Sequence, residues 1–279
     1  MVESNIVKIG IIGAGKISEK HILAYKALGY NDITIFDLDT YHSDKVASSF
    51  NIKEAASFTV LLEESDIIDI CTPVKTHREL IIQSLKAHNH VFCEKPLCQT
   101  VEEASEIREA ATKADKLLMV GHLYRFHPCF QQVKRWIDTR IIGSIHSGIF
   151  RIGGRGNHKK WKHMKKEGGG CINEMLIHKL DLIRFFFDKI DGIKLLNKET
   201  IIKERTIEGE GFIADAEDNV VLKVNVGNSR IICQADFTSP SYMEYIELHG
   251  ERGSIFTSIL DFLPTVLFLS KPYGIYNQR

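Results

Sequence analysis

Residues 6–18 read IVKIGIIGAGKIS, and this stretch decides the fold. Its first half is a short β-branched apolar run, typical of a strand that is covered on both faces. Gly13 and Gly15 follow, and a helical pattern begins directly after them. A strand that turns through glycines into a helix predicts a βαβ unit whose helix N-terminus can bind a pyrophosphate. Ser18 stands at the usual third glycine position, where a small residue suffices for packing.

The same alternation of strand and helix continues as far as position 120. Short apolar runs are followed by amphipathic stretches, and the last helix opens with a capping box from Thr100 to Glu103. Strands that alternate with helices predict right-handed crossovers and a parallel sheet. The predicted strands are 6–12, 33–36, 67–70, 91–93 and 117–120, and the predicted helices are 16–28, 43–50, 76–87 and 100–114.

The pattern changes after position 140. A strand pattern over 144–152 leads into a polar loop and then into one predicted helix over 171–187. Strand-like segments follow without helices between them: 200–207, 219–226, 230–237 and 242–249. We therefore predict an α/β protein with a parallel-sheet Rossmann domain at 1–122 and a largely antiparallel α+β domain at 123–279.

Asp37 lies at the end of the second predicted strand, about 20 residues after the glycine loop. In dinucleotide-binding domains, the acid that binds the ribose lies at this distance from the glycines. A carboxylate at this place accepts hydrogen bonds from both ribose hydroxyls of a dinucleotide. No Arg or Lys follows directly to bind a 2′-phosphate, and Asp39 adds a second negative charge. The sequence therefore favours NAD over NADP.

Composition excludes several classes of protein. The chain has 279 residues, with 36 basic and 36 acidic side chains and 44% hydrophobic residues, which is globular composition without a global basic field for nucleic acid. No apolar run is long enough to span a bilayer, and the segment 1–5 lacks a signal-peptide layout, so we expect a soluble cytoplasmic protein without a membrane partner. The six cysteines form no C-x-x-C pair and the histidines no H-E-x-x-H spacing, so we predict no metal.

Two short segments carry reactive side chains. Glu94-Lys95-Pro96 follows a predicted strand, at the sheet edge where ligands bind, and Lys95 there is a candidate proton shuttle, although such a segment is more often a solvated loop. Glu174 and His178 are four positions apart on the predicted helix, so the carboxylate can orient the imidazole. From spacing alone, a surface Glu–His pair is the simpler interpretation.

Taken together, these motifs resemble those of the glucose–fructose oxidoreductase, inositol dehydrogenase and MocA-like (Gfo/Idh/MocA) family. The resemblance runs from about position 6 to 187 and continues weakly to 249–253. It rests on the order and spacing of these segments: Gly13-Ala14-Gly15, Thr72-Pro73 with His77, Glu94-Lys95-Pro96, Arg125-Phe126-His127-Pro128, and the triple glycine at 168–170 before His178.

The resemblance implies hydride transfer between a sugar or polyol carbon and nicotinamide, and an open sheet that commonly forms homo-oligomers. Lys95 matches the family's catalytic lysine, His178 its acid/base histidine, and Glu174 a position where many members carry aspartate. The implied cofactor-binding residues are Gly13, Gly15, Lys16, Ile17, Asp37, Thr72, Pro73, His77, Glu94 and Lys95. The substrate-binding candidates are Arg125, Arg151, Trp161, Asn173 and His178.

Charge is unevenly distributed along the chain. The segment 1–122 has a net charge of −5 and the segment 123–279 of +5, and 151–166 holds seven basic residues and no acid. Such a run is often a solvated loop, and with Trp161 it also fits a nucleic-acid site. In the family it borders the substrate pocket, where cations suit an anionic sugar.

The first hypothesis is therefore an NAD-dependent dehydrogenase of a nucleotide-activated hexose. The second is a dehydrogenase of a free polyol or sugar such as inositol. The third is a non-catalytic NAD-binding sensor or partner subunit, suggested by Glu174 in place of aspartate and by a sequence that stops soon after Gly253, where relatives usually continue. A nucleic-acid partner is not expected.

Overall fold

Six parallel strands form the first sheet in a computed structural model, which describes residues 7–155 and 159–270. The chain divides into unit 1 (Met1–Gly121) and unit 2 (His122–Arg279). The strands of unit 1 are β1 (Ile9–Ile12), β2 (Ile33–Phe36), β3 (Lys53–Glu54), β4 (Ile67–Ile70), β5 (His90–Cys93) and β6 (Leu118–Val120). Its helices are α1 (Lys16–Ala27), α2 (Thr40–Phe50), α3 (Phe58–Glu64), α4 (His77–Lys86) and α5 (Val101–Ala114).

The strand order in unit 1 is β3-β2-β1-β4-β5-β6, which is the dinucleotide-binding order. Ile11 packs into one apolar cluster with α1 and α2, while Ile12 packs into another with α3, α4 and α5. Helices thus cover both faces of the sheet, which explains why its central strands β1 and β4 are largely apolar. The order reverses between β1 and β4, so their carboxyl ends form the crevice where such sheets bind ligands.

Unit 2 is built on a seven-stranded sheet with the order β15-β14-β13-β7-β12-β11-β8. Only the β7–β12 pair among its described pairs is parallel. The strands are β7 (Ile145–Gly153), β8 (Gly192–Glu199), β11 (Asn219–Val226), β12 (Ser229–Asp236), β13 (Met243–Gly250), β14 (Gly253–Thr257) and β15 (Val266–Leu269), and β9 (Glu204–Ile207) with β10 (Glu210–Ile213) forms a separate hairpin.

Two helices of unit 2, α6 (Pro128–Asp138) and α7 (Ile177–Phe187), pack on the sheet through a buried apolar cluster. Phe130 of α6, Phe186 of α7 and Phe150 of β7 are buried at its centre. Alternate side chains of β11, from Val220 to Val226, face this cluster, as their two-residue period predicts.

The predicted fold class is confirmed, but several elements differ from the prediction. The strand predicted over 200–207 is only Glu204–Ile207, because Asp218 accepts the backbone N–H groups of Ile201 and Ile202 and holds them outside the ladder. The helix predicted over 171–187 begins with a π-helical turn, Ile172–Leu176, before α7. The elements that the sequence did not indicate are β3, α3, α6, β8, β10, β14 and β15. Across the described residues, no helix has the length and apolar character needed to cross a membrane.

Candidate active site

The glycine loop of unit 1 joins β1 to α1 at the crevice of the sheet. Gly13 has a φ of 101°, and a Cβ on it would lie 3.0 Å from Thr72 Cγ2, so only glycine fits. Gly15 stands at the N-cap of α1, where a Cβ would have open space and where no side chain within the described chain caps the helix. Lys16 is exposed at the first turn, and Ile17 packs into the core. The helix end thus offers backbone N–H groups to an anion, which fits a pyrophosphate.

Asp37 ties this loop to the end of β2. Its Oδ2 accepts the N–H of Ala14 at 2.7 Å, and its Oδ1 accepts the N–H of Asp39 at 2.9 Å. A carboxylate has about four acceptor positions, so each oxygen keeps one for a ribose hydroxyl. Asp39 caps α2 through the N–H of Tyr41, so its charge stays beside Asp37. The residues present fit NAD, and their charge disfavours a 2′-phosphate.

The loops after β4 and β5 are joined by His77. Its imidazole is buried, with Nε2 2.8 Å from the carbonyl oxygen of Thr72 and Nδ1 2.9 Å from that of Pro96. Pro73 starts a short 3-10 turn between Thr72 and α4. Burial lowers the pKa of His77, against the opposing effect of these carbonyls. Because both nitrogens face protein carbonyls, His77 links the two loops.

Glu94 and Lys95 lie at the carboxyl end of β5, next to β4 in the sheet. The Lys95–Pro96 peptide is cis. The backbone N–H of Lys95 donates to Glu94 Oε2 at 3.1 Å, and the Lys95 side chain is partly buried. The hydrogen bond from its backbone N–H to Glu94 holds Lys95 at the carboxyl end of β5.

In unit 2, His178 lies at the start of α7 and stacks on Tyr124, with ring centroids 4.6 Å apart and planes at 17°. The hydroxyl of Tyr124 is 3.1 Å from that of Tyr242. Behind Tyr124, the fully buried Lys179 contacts the rings of Tyr124 and Phe130 and pairs with Glu244. The imidazole thus rests on a rigid, packed aromatic support.

Glu174 and Asn173 lie in the π-helical turn, a feature that is frequent at functional sites. Glu174 forms an ion pair with Lys162, and Asn173 donates to the carbonyl of Gly168 at 3.0 Å. Glu174 therefore has a cationic partner in the basic loop, the segment 155–166. The spacing argument for a Glu174–His178 pair did not anticipate this partner. Gly170 (φ 113°) allows this turn, because a Cβ there would lie 2.3 Å from Glu217 Oε1.

Both arginines of the predicted substrate clamp are engaged within unit 2. Arg125 donates to both carboxylate oxygens of Asp181, from Nε at 2.8 Å and from Nη2 at 2.6 Å. Arg151 pairs with the buried Asp236 and donates to Ser239 Oγ at 2.8 Å. These guanidiniums chiefly brace unit 2, which leaves fewer donors for a substrate than the sequence suggested.

The basic loop keeps several exposed cations. Lys162 packs over Trp161, which is half-buried, and Lys160 lies over Phe212 of β10. The exposed cations of the loop are Arg155, Lys159, Lys160, Lys165 and Lys166, and residues 156–158 lie outside the described part of the chain.

Several members of these groups were not expected from the sequence. Tyr124 and Tyr242 support His178, and His21, Asp69 and Cys71 form a compact polar group in unit 1 whose ligand-type atoms lie within 4.8 Å of one another. Asp69 was visible as the lone acid inside the apolar run 67–70. The prediction that the protein holds no metal stays a prediction.

Comparison with known proteins gives two family matches. A family described as "Oxidoreductase family, NAD-binding Rossmann fold" matches residues 7–122, and the "GFO/IDH/MocA C-terminal domain" matches residues 130–256. Among similar proteins, inositol 2-dehydrogenase of Rhizobium meliloti is 26% identical over 89% of this chain and 74% of its own length. Myo-inositol 2-dehydrogenase of Thermotoga maritima is 27% identical over 90% of this chain and 75% of its own.

Two solved structures share the fold at low sequence identity. Levoglucosan dehydrogenase in complex with NADH has a TM-score of 0.83 at 21% identity, covering 95% of this chain and 80% of that one. The WlbA dehydrogenase from Bordetella pertussis, in complex with NADH and UDP-GlcNAcA, has a TM-score of 0.83 at 20% identity, covering 98% and 80%.

Proposed function

This chain belongs to the Gfo/Idh/MocA oxidoreductase family, and from that premise we propose that it is an NAD-dependent dehydrogenase whose substrate is a nucleotide-activated hexose. The coarser statement, an NAD-binding oxidoreductase of sugars or polyols, rests on both family matches and on the dehydrogenase names of its relatives. The choice of substrate rests on one observation, the cluster of exposed cations around Trp161.

The proposed chemistry uses Lys95 and His178. Lys95 accepts the proton of the substrate hydroxyl. NAD, held at the glycine loop and Asp37, would supply the acceptor for the hydride on the carbon that bears this hydroxyl. His178 hydrogen-bonds to the substrate as acid/base, and its stacking on Tyr124 fixes the plane of the imidazole. Glu174 holds Lys162, and so one side of the basic loop, through their ion pair.

The exposed loop cations support an anionic substrate for an electrostatic reason. Lys162 is paired with Glu174, and Arg125 and Arg151 are paired with aspartates, so those charges are already balanced. Lys159 and Lys166 are exposed in the segment 159–167, whose single acid is Glu167. Their field favours a diphosphate, and Trp161 offers a ring face for a base or sugar.

A free polyol or sugar is the second candidate. It is supported by the same three ion pairs, which neutralise the cations that would otherwise clamp an anion most tightly. Two inositol dehydrogenases are among the similar proteins. The two candidates differ in one measurable property, the effect of salt on binding.

The test is to incubate the protein and NAD with each substrate of a panel and to measure NADH formation by its absorbance. UDP-glucose and UDP-N-acetylglucosamine represent the anionic class, and myo-inositol, glucose and levoglucosan the neutral class. For an anionic substrate, we expect KM to rise with salt and to rise on the order of fivefold in the Lys159→Gln/Lys166→Gln variant, because each surface charge contributes up to about 1 kcal/mol. The exposed pair Lys45→Gln/Lys86→Gln is the matched control and should leave KM unchanged.

Turnover of neutral substrates alone, with a salt-independent KM, would refute the nucleotide-sugar proposal and favour the polyol. NADH formation with any member of the panel excludes a non-catalytic sensor. Bound NAD with no turnover across the panel would instead favour that third hypothesis.

We also propose that unit 2 binds substrate and self-associates through the outer face of its sheet. On β12, Arg230 and Ile232 are exposed on the side opposite the buried Ile231 and Cys233. The mass in solution, from size-exclusion chromatography with light scattering, tests this; a monomer at micromolar concentration would contradict it.

A further inference from the structure

A second group of ionisable side chains is buried in unit 1, below the loop that carries Lys95. His21 projects from α1 toward the neighbouring strands β4 and β5. Its Nδ1 is 2.8 Å from Asp69 Oδ2, and its Nε2 is 3.3 Å from Glu94 Oε1. Asp69 is fully buried, and the side chains of His21 and Glu94 are 15% and 13% exposed. One imidazole thus bridges two carboxylates.

The surroundings of His21 require a charged ring. A neutral imidazole has one N–H, whereas both nitrogens here face carboxylate oxygens, so both need to donate. Burial alone would lower the pKa of His21, but the hydrogen bonds and charges of Asp69 and Glu94 outweigh it and raise the pKa to about 9. The other polar neighbours are neutral: Tyr25, whose hydroxyl donates to Asp69 Oδ2 at 2.8 Å, and Cys71, whose Sγ is 3.3 Å from Nδ1.

Burial and the nearby Asp69 carboxylate raise the pKa values of the Tyr25 hydroxyl and the Cys71 thiol, so neither group competes for the charge. The ring of His21 also contacts Phe92 of β5, with centroids 5.6 Å apart. His21 is therefore held in place by packing as well as by charge.

Glu94 connects His21 to the backbone of Lys95. Burial by itself would raise the pKa of Glu94, but His21 and then Lys95 lower it, so the carboxylate is ionised. Its Oε2 accepts the backbone N–H of Lys95 at 3.1 Å. Gly121 packs closely against the Glu94 carboxylate, since a Cβ on Gly121 would lie 3.2 Å from Glu94 Oε1. The Glu94 carboxylate is thus confined between an imidazolium and the Lys95 backbone.

We propose that His21 is a positioning residue for the reaction: its imidazolium, anchored on Asp69, fixes the Glu94 carboxylate and thereby the point from which the Lys95 side chain starts. The inference rests on the proposed function for the role of Lys95 as proton acceptor. It adds a hydrogen-bonded chain, Asp69–His21–Glu94, behind that lysine.

A metal site is the competing interpretation of the same atoms, since His, Asp and Cys are zinc ligands. Two ligands of one tetrahedral zinc, each at about 2.0–2.1 Å from the metal, lie roughly 3.3 Å apart. The separation of 2.8 Å between His21 Nδ1 and Asp69 Oδ2 is instead that of a direct charge-assisted hydrogen bond. The described geometry therefore favours the hydrogen-bonded chain.

Two substitutions separate the halves of the bridge. In His21→Asn the side-chain amide reaches the place of Nδ1, so it keeps the bond to Asp69 and loses the one to Glu94. In His21→Gln the longer side chain brings its amide to the place of Nε2, so it keeps Glu94 and leaves the buried Asp69 with only the neutral donors Tyr25 and Cys71. We expect kcat to fall on the order of tenfold in His21→Asn, which corresponds to about 1.4 kcal/mol, and less than threefold in His21→Gln. The thermal midpoint should fall further in His21→Gln.

This crossed result distinguishes positioning from a structural role. If His21 only stabilised the fold, kcat would follow the thermal midpoint and be lower in His21→Gln, and that outcome would overturn the proposal. Equal kcat values in both variants would overturn it as well. Stoichiometric zinc in the purified full chain, lost in both variants, would replace it by the metal interpretation.

Two readouts do not depend on finding a substrate, so failure of the proposed function is distinguishable from failure of this inference. ¹⁵N NMR of the His21 ring should show both nitrogens protonated at pH 7.5, and a neutral ring there would refute the imidazolium. Acetylation of Lys95, followed by peptide mass spectrometry, should slow about threefold in His21→Asn because the released Glu94 carboxylate can pair with the ammonium. Unchanged acetylation would refute the link from His21 to Lys95, even if His21→Gln does not fold.

Discussion

The buried ion pair between Lys179 and Glu244 gives the sharpest stability prediction. Neither side chain is exposed, and Glu244 Oε2 also accepts the backbone N–H of Ile259 at 2.8 Å. Removing one partner leaves an unbalanced charge in the core, which costs about 3–5 kcal/mol. We expect this loss in free energy of unfolding for Lys179→Met and for Glu244→Gln, with a thermal midpoint lower by roughly 6–20 °C for a unit of this size.

The assay is urea unfolding followed by tryptophan fluorescence, since both tryptophans, Trp136 and Trp161, lie in unit 2. The double variant should lose less than the sum of the single variants, by up to about 3 kcal/mol, because it removes both charges together. Lys189→Met is the control: Lys189 is 80% exposed and 3.1 Å from Asp191, and a surface pair contributes at most about 1 kcal/mol. A loss below about 1 kcal/mol for Lys179→Met would refute the reasoning, since a buried pair would then behave like a surface one.

The remaining predictions concern the catalytic lysine, the cofactor, the buried histidine and one glycine. Lys95→Met should bind NADH normally in a fluorescence titration yet lose turnover; near-wild-type kcat would contradict the proposed chemistry. Asp37→Ala should weaken NADH at least about tenfold while affecting NADPH less, since two charge-assisted hydrogen bonds to the ribose are lost; equal losses would contradict the assignment. The folded-state pKa of His21 is raised from 6.5 to about 9, so protonated His21 adds up to about 3 kcal/mol to the free energy of unfolding of unit 1. This stabilisation is complete below pH 6.5 and is lost as the pH rises through 9. Hydrogen exchange of unit 1 amides should show the loss in the wild type and not in His21→Asn. Gly170→Ala should destabilise unit 2 by at least about 1 kcal/mol, since its Cβ would overlap Glu217; an unchanged urea midpoint would show that the turn relaxes.

The parallel sheet was predictable because its information is local. Each predicted strand of unit 1 is a short apolar run, and the glycine loop and Asp37 lie at fixed places relative to β1 and β2. Strand β3 consists only of Lys53 and Glu54, so it has no apolar run that would predict a strand. Its position is set by pairing with β2. That position could not be inferred without the rest of the sheet.

The contacts of the candidate site residues were less predictable than the fold. The helical spacing of Glu174 and His178 suggested a pair; Glu174 lies in a π-helical turn and forms an ion pair with Lys162 of the basic loop. Arg125 and Arg151 were recognised as important cations, yet their aspartate partners belong to elements far along the chain, α7 for the first and β12 for the second. Spacing along one helix cannot identify such partners.

Strand β7 has a consequence for how the protein is made. Within the described sheet its two neighbours, β12 and β13, both come much later in the chain, and Ile145 of β7 lies 84 positions before Ser229 of β12, whose hydroxyl donates to its carbonyl. At a synthesis rate of about 5–20 residues per second, β7 leaves the ribosome roughly 4–17 s before its first partner. Throughout that interval Phe150 and Ile152 have no sheet to join, so the nascent chain exposes an apolar strand with two open edges. From this strand order we expect unit 2 to be more prone to aggregation during synthesis than after β12 and β13 have joined β7.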